Sequence, residues 1–316
     1  MRPTRFVRTS TPVLSAAMLA AVLVGLLGAS PLQAQDPFGQ LVARIPRSAN
    51  AVVILNMESV LTSPMGVREG WKQNLAKAFE AGVMRVPPKA TRFVLAEQLD
   101  FQFMEPMWEA AVMDAGEAVT VEQIAEERGG TVDSVSDLAA VALPRDVYVV
   151  QFAPNTFGAM APGNRQAVYR WVQEIESDQP LSPYLQGAAV YSDKAGTDII
   201  MAIDLEGVVG VKSVAAYLNA MELPSEAKKD LASLAQWLSG VRGVRLGIRI
   251  GTEPFGKLAV DFRDNASISP ELAKTLFLGI LAKGGMSLTD LEGWKPAVSG
   301  KEVSLQGNFS KDGLRR

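Results

Sequence analysis

Residues 244–263 alternate between apolar and polar or small side chains, and this period of two constrains the fold more than any other feature of the chain. The apolar positions are Val244, Leu246, Ile248 and Ile250 on a first arm and Leu258, Val260 and Phe262 on a second. The arms flank a turn at Pro254 and Gly256. Because successive side chains of a strand point to opposite faces, the pattern predicts an antiparallel hairpin with one buried face.

Similar hairpins are predicted at three further places. Their bounds are Arg92–Met113, Leu138–Phe152 and Leu185–Leu205, the last with its turn at Asp193–Gly196. The apolar run Ala51–Leu55 predicts a fully buried strand. A recurring order of strand, turn, strand and helix is typical of an α+β fold. We therefore expect antiparallel β-hairpins that alternate with helices packed on one face of the sheet.

Apolar residues between the hairpins recur at the spacing of one helical face. These stripes are Trp71, Leu75, Ala78 and Phe79; Val168, Trp171, Val172 and Ile175; Val214, Tyr217, Leu218 and Met221; and Leu231, Leu234, Ala235 and Leu238. Helix starts are indicated by Ser63-Pro64, Ser225-Glu226, Ser269-Pro270 and the capping box from Thr120 to Gln123. Residues 283–301 predict a connecting stretch around a short helix at Leu288–Leu291.

Two strand-to-helix junctions, Leu55–Leu61 and Ile203–Val209, resemble each other in sequence. An internal duplication with a boundary near Asp178–Pro183 would explain the resemblance. The predicted organisation is a signal peptide at residues 1–34, an α+β half at 35–180 and a second α+β half at 181–316. Ser310 with Asp312 begins another helix, so the tail either is disordered or belongs to a longer chain, and the interrupted helix favours the longer chain.

The N-terminus has the layout of an export signal. Arg2, Arg5 and Arg8 precede the apolar run Val13–Ala29, and small and polar residues follow at Ser30–Ala34. The run is at the short end of what a membrane-spanning helix needs, so cleavage after residue 34 is favoured over a retained anchor. We expect a periplasmic or extracellular protein, or a membrane-anchored one if the N-terminal helix is kept.

The charge of the mature chain argues against a nucleic-acid partner. The full chain has 31 basic and 34 acidic residues, and the first 34 residues contain three arginines and no acid, which leaves 28 basic against 34 acidic residues and a formal charge of −6. Such a balance does not attract nucleic acid. The expected partner is an unknown protein or another envelope component, with no membrane contact beyond the signal.

The chain has neither histidine nor cysteine. This removes the commonest general base, the thiol nucleophile, and the usual zinc and copper ligands. The sequence also contains no G-x-S-x-G elbow, P-loop or dinucleotide fingerprint. No catalytic, cofactor-binding or metal-binding residue is assigned, and no cofactor is expected.

Acidic residues supply one candidate site. Asn56 and Asp204 occupy equivalent places in the two similar junctions, as do Glu58 and Glu206. Helix capping, with each glutamate near the positive end of a helix dipole, explains this pattern without a function. The alternative is a paired acidic site around a cation or a sugar, which requires the fold to bring the two junctions together.

Four other patterns have a structural and a functional interpretation. Ser225 and Lys228 have the spacing of a nucleophile pair, but a serine after proline is typical of a helix cap. Glu174, Glu176 and Asp178 alternate like cation ligands, and a solvated helix end is the simpler interpretation. A larger charged group is interpreted as cross-strand ion pairs rather than as an anion site, and it consists of Arg245, Arg249, Asp261 and Arg263. An aromatic and methionine stretch is interpreted as core packing rather than as a stacking surface, and it consists of Phe101, Phe103, Met104, Met107 and Trp108.

Two stretches, Leu55–Gly66 and Ala202–Val208, resemble the "LxxVxxSPxG" and "AxDLxxV" stretches of a loose set of uncharacterised exported bacterial proteins. The resemblance covers about half of the chain, around Ile45 to Trp71 and Asp198 to Leu218. It implies an exported protein of unknown role and brings no catalytic residues.

The leading hypothesis is a non-enzymatic interaction or structural protein of the cell envelope, which presents sheet edges or a helical face to its partners. The alternative is a hydrolase that uses two carboxylates on glycans or similar envelope substrates, since that chemistry needs neither histidine nor cysteine.

Overall fold

The computed structural model describes residues 37–84, 86–103, 105–177, 180–221, 223, 225, 227–283 and 289–310. The predicted signal peptide and the predicted final helix at Asp312 lie outside the described residues.

The strands of the described residues form one sheet of twelve. They are β1 Ala51–Asn56, β2 Ala90–Asp100, β3 Glu105–Ala115, β4 Thr131–Val135, β5 Leu138–Leu143, β6 Val147–Ala153, β7 Thr156–Ala161, β8 Ile199–Asp204, β9 Val241–Arg249, β10 Phe255–Phe262, β11 Lys295–Ser299 and β12 Glu302–Asn308. Their spatial order is β11-β12-β10-β9-β8-β1-β2-β3-β7-β6-β5-β4, and every neighbouring pair is antiparallel. The α+β class with antiparallel hairpins is therefore confirmed.

Helices connect the strands. They are α1 Pro37–Val42, α2 Met57–Thr62, α3 Pro64–Arg68, α4 Trp71–Glu80, α5 Val121–Arg128, α6 Arg165–Glu176, α7 Pro183–Ala195, α8 Val211–Ala220, α9 Leu231–Leu238, α10 Pro270–Lys283 and α11 Thr289–Gly293. The predicted caps at Ser63 and Ser269 and the capping box of Thr120 with Gln123 are confirmed.

Helices cover both faces of the sheet. On the front face, which we define by Val52 and Ile54 of β1, a core packs against α1, α6 and α7. On the back face, which includes Leu55 and Phe93, the core packs against α2 and α5 in one half, while α8, α9 and α10 cover the other half. The expectation of helices on one face is wrong, because the central strands are apolar on both faces and each face needs a cover.

The order of elements repeats about the central pair β1 and β8, in which Ala51 lies opposite Ile203. Each of these strands is followed by helices, then by a hairpin, β2-β3 or β9-β10, and then by α5 or α10. A later strand, β7 or β12, returns to pair with the second strand of the hairpin. The predicted boundary between two halves remains a prediction, since the described strands share one sheet.

The predicted hairpin at Leu185–Leu205 is wrong in its first arm, which is helix α7. Ser182 caps the start of this helix by accepting a 3.3 Å hydrogen bond from the backbone N–H of Leu185, and Gly196 ends it with φ +59°. A Ser-Pro start and a left-handed glycine are ordinary helix boundaries, and here they outweigh the apolar alternation. Only β8 is extended.

Two further expectations need correction. The connecting stretch 283–301 contains the short edge strand β11. The short helix predicted at Leu288–Leu291 is confirmed as α11 from Thr289 onward, and Leu288 lies outside the described residues. Helix α9 starts at Leu231 rather than at Ser225, because Asp230 caps it and accepts a 3.0 Å hydrogen bond from the N–H of Ser233. The other three predicted hairpins and the four apolar helical stripes are confirmed. The strand at Ala51–Leu55 is confirmed as well, but it is not fully buried, since Val53 and Leu55 are half-buried.

Candidate functional site

The β2-β3 hairpin ends in an irregular tip. Gln98 lies opposite Trp108, but Leu99 lies opposite Pro106, so that Met107 is an extra residue on β3. A bulge of this kind leaves the extra residue outside the ladder and changes the direction of its side chain. Met107 is 62% exposed.

The tip corrects the predicted core packing of the aromatic and methionine stretch. Phe103 is 66% exposed in the turn between the strands, whereas Phe101 is half-buried. Trp108 packs against the front core, and its Nε1 donates a 2.8 Å hydrogen bond to Oε1 of Gln98. Met104 lies outside the described residues. The core interpretation therefore fails for Phe103 and Met107, because one lies in the turn and the other in the bulge.

A shallow cleft of about 240 Å³ adjoins the tip. It is lined by Pro106, Met107, Trp108, Glu109, Arg145, Asp146, Ala161 and Pro162. The lining combines an apolar wall with three charged residues. None of those three charges was singled out in the sequence.

Hydrogen bonds hold the loop that forms one side of the cleft. Arg145 and Asp146 lie between β5 and β6 with φ of 65° and 60°, a left-handed backbone that is uncommon outside glycine. Oδ1 of Asp146 accepts a 3.0 Å hydrogen bond from the N–H of Gly163. Nη1 of Arg145 donates a 3.3 Å hydrogen bond to the carbonyl of Gly82 after α4. The loop that contains Arg145 and Asp146 is therefore held by hydrogen bonds to two other segments of the chain.

Two carboxylates face each other beside this cleft. Glu97 and Glu109 are direct cross-strand neighbours on the back face, with Ala51 beyond one and Ala161 beyond the other. Burial, followed by the charge of Glu109, raises the pKa of Glu97 above its ordinary value. Like charges in this position destabilise a sheet, and a perturbed pair next to a cleft is a candidate for function. The pair of Glu97 and Glu109 can be found from the sequence only if the register of the hairpin is known.

The structure does not bring the two predicted acidic junctions together. Because β1 and β8 are antiparallel, Asn56 and Asp204 lie at opposite ends of the pair, roughly 20 Å apart at about 3.4 Å per residue. The side chain of Asn56 caps α2 by accepting a 3.1 Å hydrogen bond from the N–H of Ser59, while Glu58 is exposed. Glu206 pairs with Arg242 at 2.9 Å.

The charges on the β9-β10 hairpin form ion pairs, as predicted. Nη2 of Arg245 lies 3.5 Å from Oδ2 of Asp261 and 3.2 Å from Oε2 of Glu302. Glu302 also pairs with Lys257 at 2.7 Å. Because two carboxylates already engage the guanidinium of Arg245, we do not assign Arg245 to an anion-binding site.

The two remaining members of that predicted group lie apart from this cluster. The guanidinium of Arg249 is 5.7 Å from the ring centroid of Phe255, and Arg263 is 3.7 Å from Glu206.

The remaining candidates are structural. Ser225 and Lys228 are exposed around a 3₁₀ turn at Ala227–Asp230. Oε2 of Glu174 accepts a 3.1 Å hydrogen bond from the N–H of Arg47, and Asp178 lies outside the described residues. Within the part of the chain that is described, three or more acidic residues nowhere converge in a group that could hold a metal ion. No described helix combines the length and apolar character needed to cross a membrane.

Comparisons with known proteins concern the fold alone. No family model matches the chain, and no curated protein is significantly similar to it. Among solved structures, crystal form III of TP0453 is similar with a TM-score of 0.47 and 11% identity, covering 84% of this chain and 92% of that one. Crystal form I of TP0453 gives 0.47 and 10%, covering 87% and 94%. Likeness this distant carries no information about function.

Proposed function

We propose that this chain is an exported, non-enzymatic interaction protein of the cell envelope. Its contact surface is the hairpin tip, which we define as residues 97–103 and 105–109 together with the adjoining cleft. The observation that carries the proposal is the exposure of two large apolar side chains, Phe103 at 66% and Met107 at 62%, at one end of one hairpin. The export signal predicted at residues 1–34 supports the location.

Single exposed apolar residues are normal on a protein surface. Two of them close in sequence at a hairpin end, beside a cleft with an apolar wall, form the kind of patch that marks an interaction site. Pairing of a partner strand with an edge of the sheet is a weaker basis for the proposed interaction, because both edge strands of the described sheet carry residues that hinder such pairing. Pro296 and Lys295 lie in β11, and Arg165 donates a 2.6 Å hydrogen bond from Nη2 to the carbonyl of Ser134 in β4.

Site-specific photo-cross-linking in the native envelope tests this proposal. A photoreactive residue at position 103 should give a discrete adduct, and Met107→Ser in the same chain should abolish it. Position 67 is the matched control, because Val67 is 69% exposed but lies on α3. No adduct at position 103, or the same adduct at both positions, would contradict the proposal.

A second candidate function, the carboxylate hydrolase, is favoured by the pair Glu97 and Glu109. Directly opposed residues have Cβ atoms about 4.5 to 5.5 Å apart, and retaining glycosidases place their two carboxyl groups about 5 to 5.5 Å apart. In this chemistry Glu97, whose pKa is raised by burial, is the general acid and Glu109 is the nucleophile.

Purified envelope glycan and oligosaccharides are the probes for this second function, and release of reducing ends is the measurement. Activity should fall at least about 100-fold in Glu97→Gln and remain in Glu105→Gln, whose side chain is exposed outside the pair. Absence of hydrolysis by the unmodified chain, or equal activity of both variants, would remove this candidate.

A further inference from the structure

Helix α4 lies on the back face of the sheet without burying a residue. All ten of its residues are described, and none of them is buried. Helix α6, by contrast, buries Val168, Trp171 and Val172. Short helices are unstable in water on their own and depend on packing, so α4 is held by little apolar burial. Its apolar stripe is only half-buried and consists of Trp71, Leu75, Ala78 and Phe79.

The apolar contacts of α4 join two separate cores. Leu75 packs against the back-face core that includes Phe93 of β2. Trp71 packs against a further core that includes Ile248 of β9. The central strands β1 and β8 lie between β2 and β9, so α4 reaches across the middle of the sheet. A segment that contacts both sides of the central pair and is buried in neither core has the position of a strap.

Two arginines from neighbouring segments hold the C-terminal end of α4. The guanidinium of Arg128, the last residue of α5, lies 3.8 Å from the ring centroid of Phe79. Nη1 of Arg145 donates its 3.3 Å hydrogen bond to the carbonyl of Gly82, two residues after the helix ends. Cation–π contacts and hydrogen bonds at an exposed surface are individually weak. The closed position of α4 therefore depends on a few weak contacts.

Glycines with a left-handed backbone flank the helix on both sides. Gly70 has a φ of 66° before its start, and Gly82 has a φ of 70° after its end. Hinges are residues that absorb changes in φ and ψ, and glycine adopts either sign of φ without steric cost. Beyond the two glycines, Val67 is 69% exposed and Val83 is 80% exposed, so the adjoining residues add little packing.

We propose that α4 is a strap that opens about Gly70 and Gly82 while the sheet stays folded. Segments with few buried apolar contacts open at a lower free energy than the whole protein unfolds. Opening breaks the contact between Gly82 and Arg145, and Arg145 lines the cleft of the hairpin tip. The strap therefore regulates the contact surface, and this part of the inference rests on the proposed interaction function. A partner that engages the freed guanidinium binds the open state more tightly and increases its population.

Hydrogen–deuterium exchange of the purified chain, measured by mass spectrometry, tests the opening. The protection factors of amides in residues 75–80 of α4 should be at least about 100-fold lower than those in residues 169–175 of α6. A smaller difference would overturn the proposal, because α4 would then open only together with the packed helices.

Arginine variants test what keeps the strap closed. Arg128→Ala with Arg145→Ala should lower the protection of residues 75–80 at least about fivefold further and leave that of α6 unchanged. Arg170→Ala with Lys212→Ala removes two exposed cations elsewhere and should change neither helix. No change in the first pair, or an equal change in both pairs, would contradict the closing contacts. Melting temperatures confirm that each variant is folded.

A cross-link between α4 and α5 separates failure of the strap from failure of the interaction function. Because the chain has no cysteine, Phe79→Cys with Arg128→Cys provides two thiols that a short bifunctional reagent joins. The cross-link should raise the protection of residues 75–80 and reduce the photo-adduct at position 103 at least about threefold, relative to the same variant without the reagent. An equal adduct yield would contradict regulation by the strap. Absence of the adduct from the unmodified chain, with weak protection at residues 75–80, would remove the interaction function and leave the strap.

Discussion

The hydroxyl of Tyr184 donates a 2.8 Å hydrogen bond to Oδ2 of Asp261 and thereby joins helix α7 to strand β10. The same carboxylate lies 3.5 Å from Nη2 of Arg245. Burial, and then the charge of Asp261, raise the pKa of Tyr184 well above its usual range. The contact fastens the front-face helix to the half of the sheet beyond β8.

Tyr184→Phe should lower the free energy of unfolding by about 1 kcal/mol at neutral pH, because one buried hydrogen bond is lost. The difference should shrink above about pH 10, where the unfolded tyrosine ionises while the folded one keeps its proton, so that the unmodified chain loses stability as pH rises. Urea unfolding at neutral and alkaline pH measures this. Tyr169→Phe is the control at a 46% exposed tyrosine, and an unchanged difference at high pH would contradict the assignment.

Asp198 is a buried carboxylate that holds two segments together. Its Oδ1 accepts a 2.5 Å hydrogen bond from the hydroxyl of Ser59, and its Oδ2 accepts a 2.6 Å hydrogen bond from the N–H of Ile250. Asp198→Ala should cost about 3 kcal/mol, because both donors lose their acceptor in a buried site. Denaturant unfolding provides the value, with Asp264→Ala in an exposed bend as the reference. A cost below about 1 kcal/mol would show that water replaces the carboxylate.

Two glycine substitutions should have opposite signs. A Cβ at Gly158 would lie 2.4 Å from Phe152 and 2.5 Å from Trp171, so Gly158→Ala should destabilise the protein by about 1 to 3 kcal/mol. A Cβ at Gly187, inside α7, would meet nothing within 4 Å, and Gly187→Ala should stabilise by up to about 1 kcal/mol. Thermal unfolding compares the two. Equal effects would mean that helix α6 does not pack on β7 as described.

Arg165 guards the edge strand β4. Its Nε lies 2.7 Å from Oδ2 of Asp133, and hydrogen bonds from Arg165 and then from Tyr148 lower the pKa of Asp133 to about 2. Arg165→Ala should uncover the carbonyl of Ser134 and promote association between chains, seen as a concentration-dependent mass in sedimentation. Arg170→Ala removes a neighbouring exposed charge and should leave the mass unchanged. A monomeric Arg165→Ala variant at high concentration would contradict the guarding role.

The same ion pair has an acid dependence of defined sign. Because the folded pKa of Asp133 is depressed from 3.8 to about 2, its contribution to stability is present above about pH 4 and is lost as the pH falls toward 2. Arg165→Ala should make unfolding less dependent on pH in this window. Unfolding curves across the window measure the slope, and an unchanged slope would show that Arg165 does not depress this pKa.

Much of the secondary structure could be predicted because it depends on local patterns. The alternation at Val244–Ile250 and the apolar run at Ala51–Leu55 indicate strands, and Thr120 with Gln123 marks a helix start by its own chemistry. The same reasoning failed at Leu185, where apolar alternation and a Ser-Pro helix start compete over the same residues. It also missed β11, since five residues containing a proline resemble a loop.

The hairpin tip could not be predicted because its properties depend on register and on what covers each face. Glu97 lies opposite Glu109 only in the observed register of β2 and β3, and a shift of the register by one residue would place them on opposite faces of the sheet. Met107 is exposed because it is the extra residue of the bulge after Gln98. Arg145 and Asp146 line the cleft because the loop between β5 and β6, which is distant in sequence, lies next to the β2-β3 hairpin. Sequence reasoning assigned the aromatic stretch to the core, since aromatic residues and methionines usually fill cores.

The sequence by itself determined the α+β class, most strand and helix positions, and the absence of histidine and cysteine chemistry, because these follow from short-range periodicity and composition. The tertiary structure decided that helices cover both faces, that Asn56 and Asp204 lie at opposite ends of the central strand pair, and that Phe103 and Met107 are exposed at one end of a hairpin. These are long-range relationships. They are set by strand order and register, which local propensity does not encode.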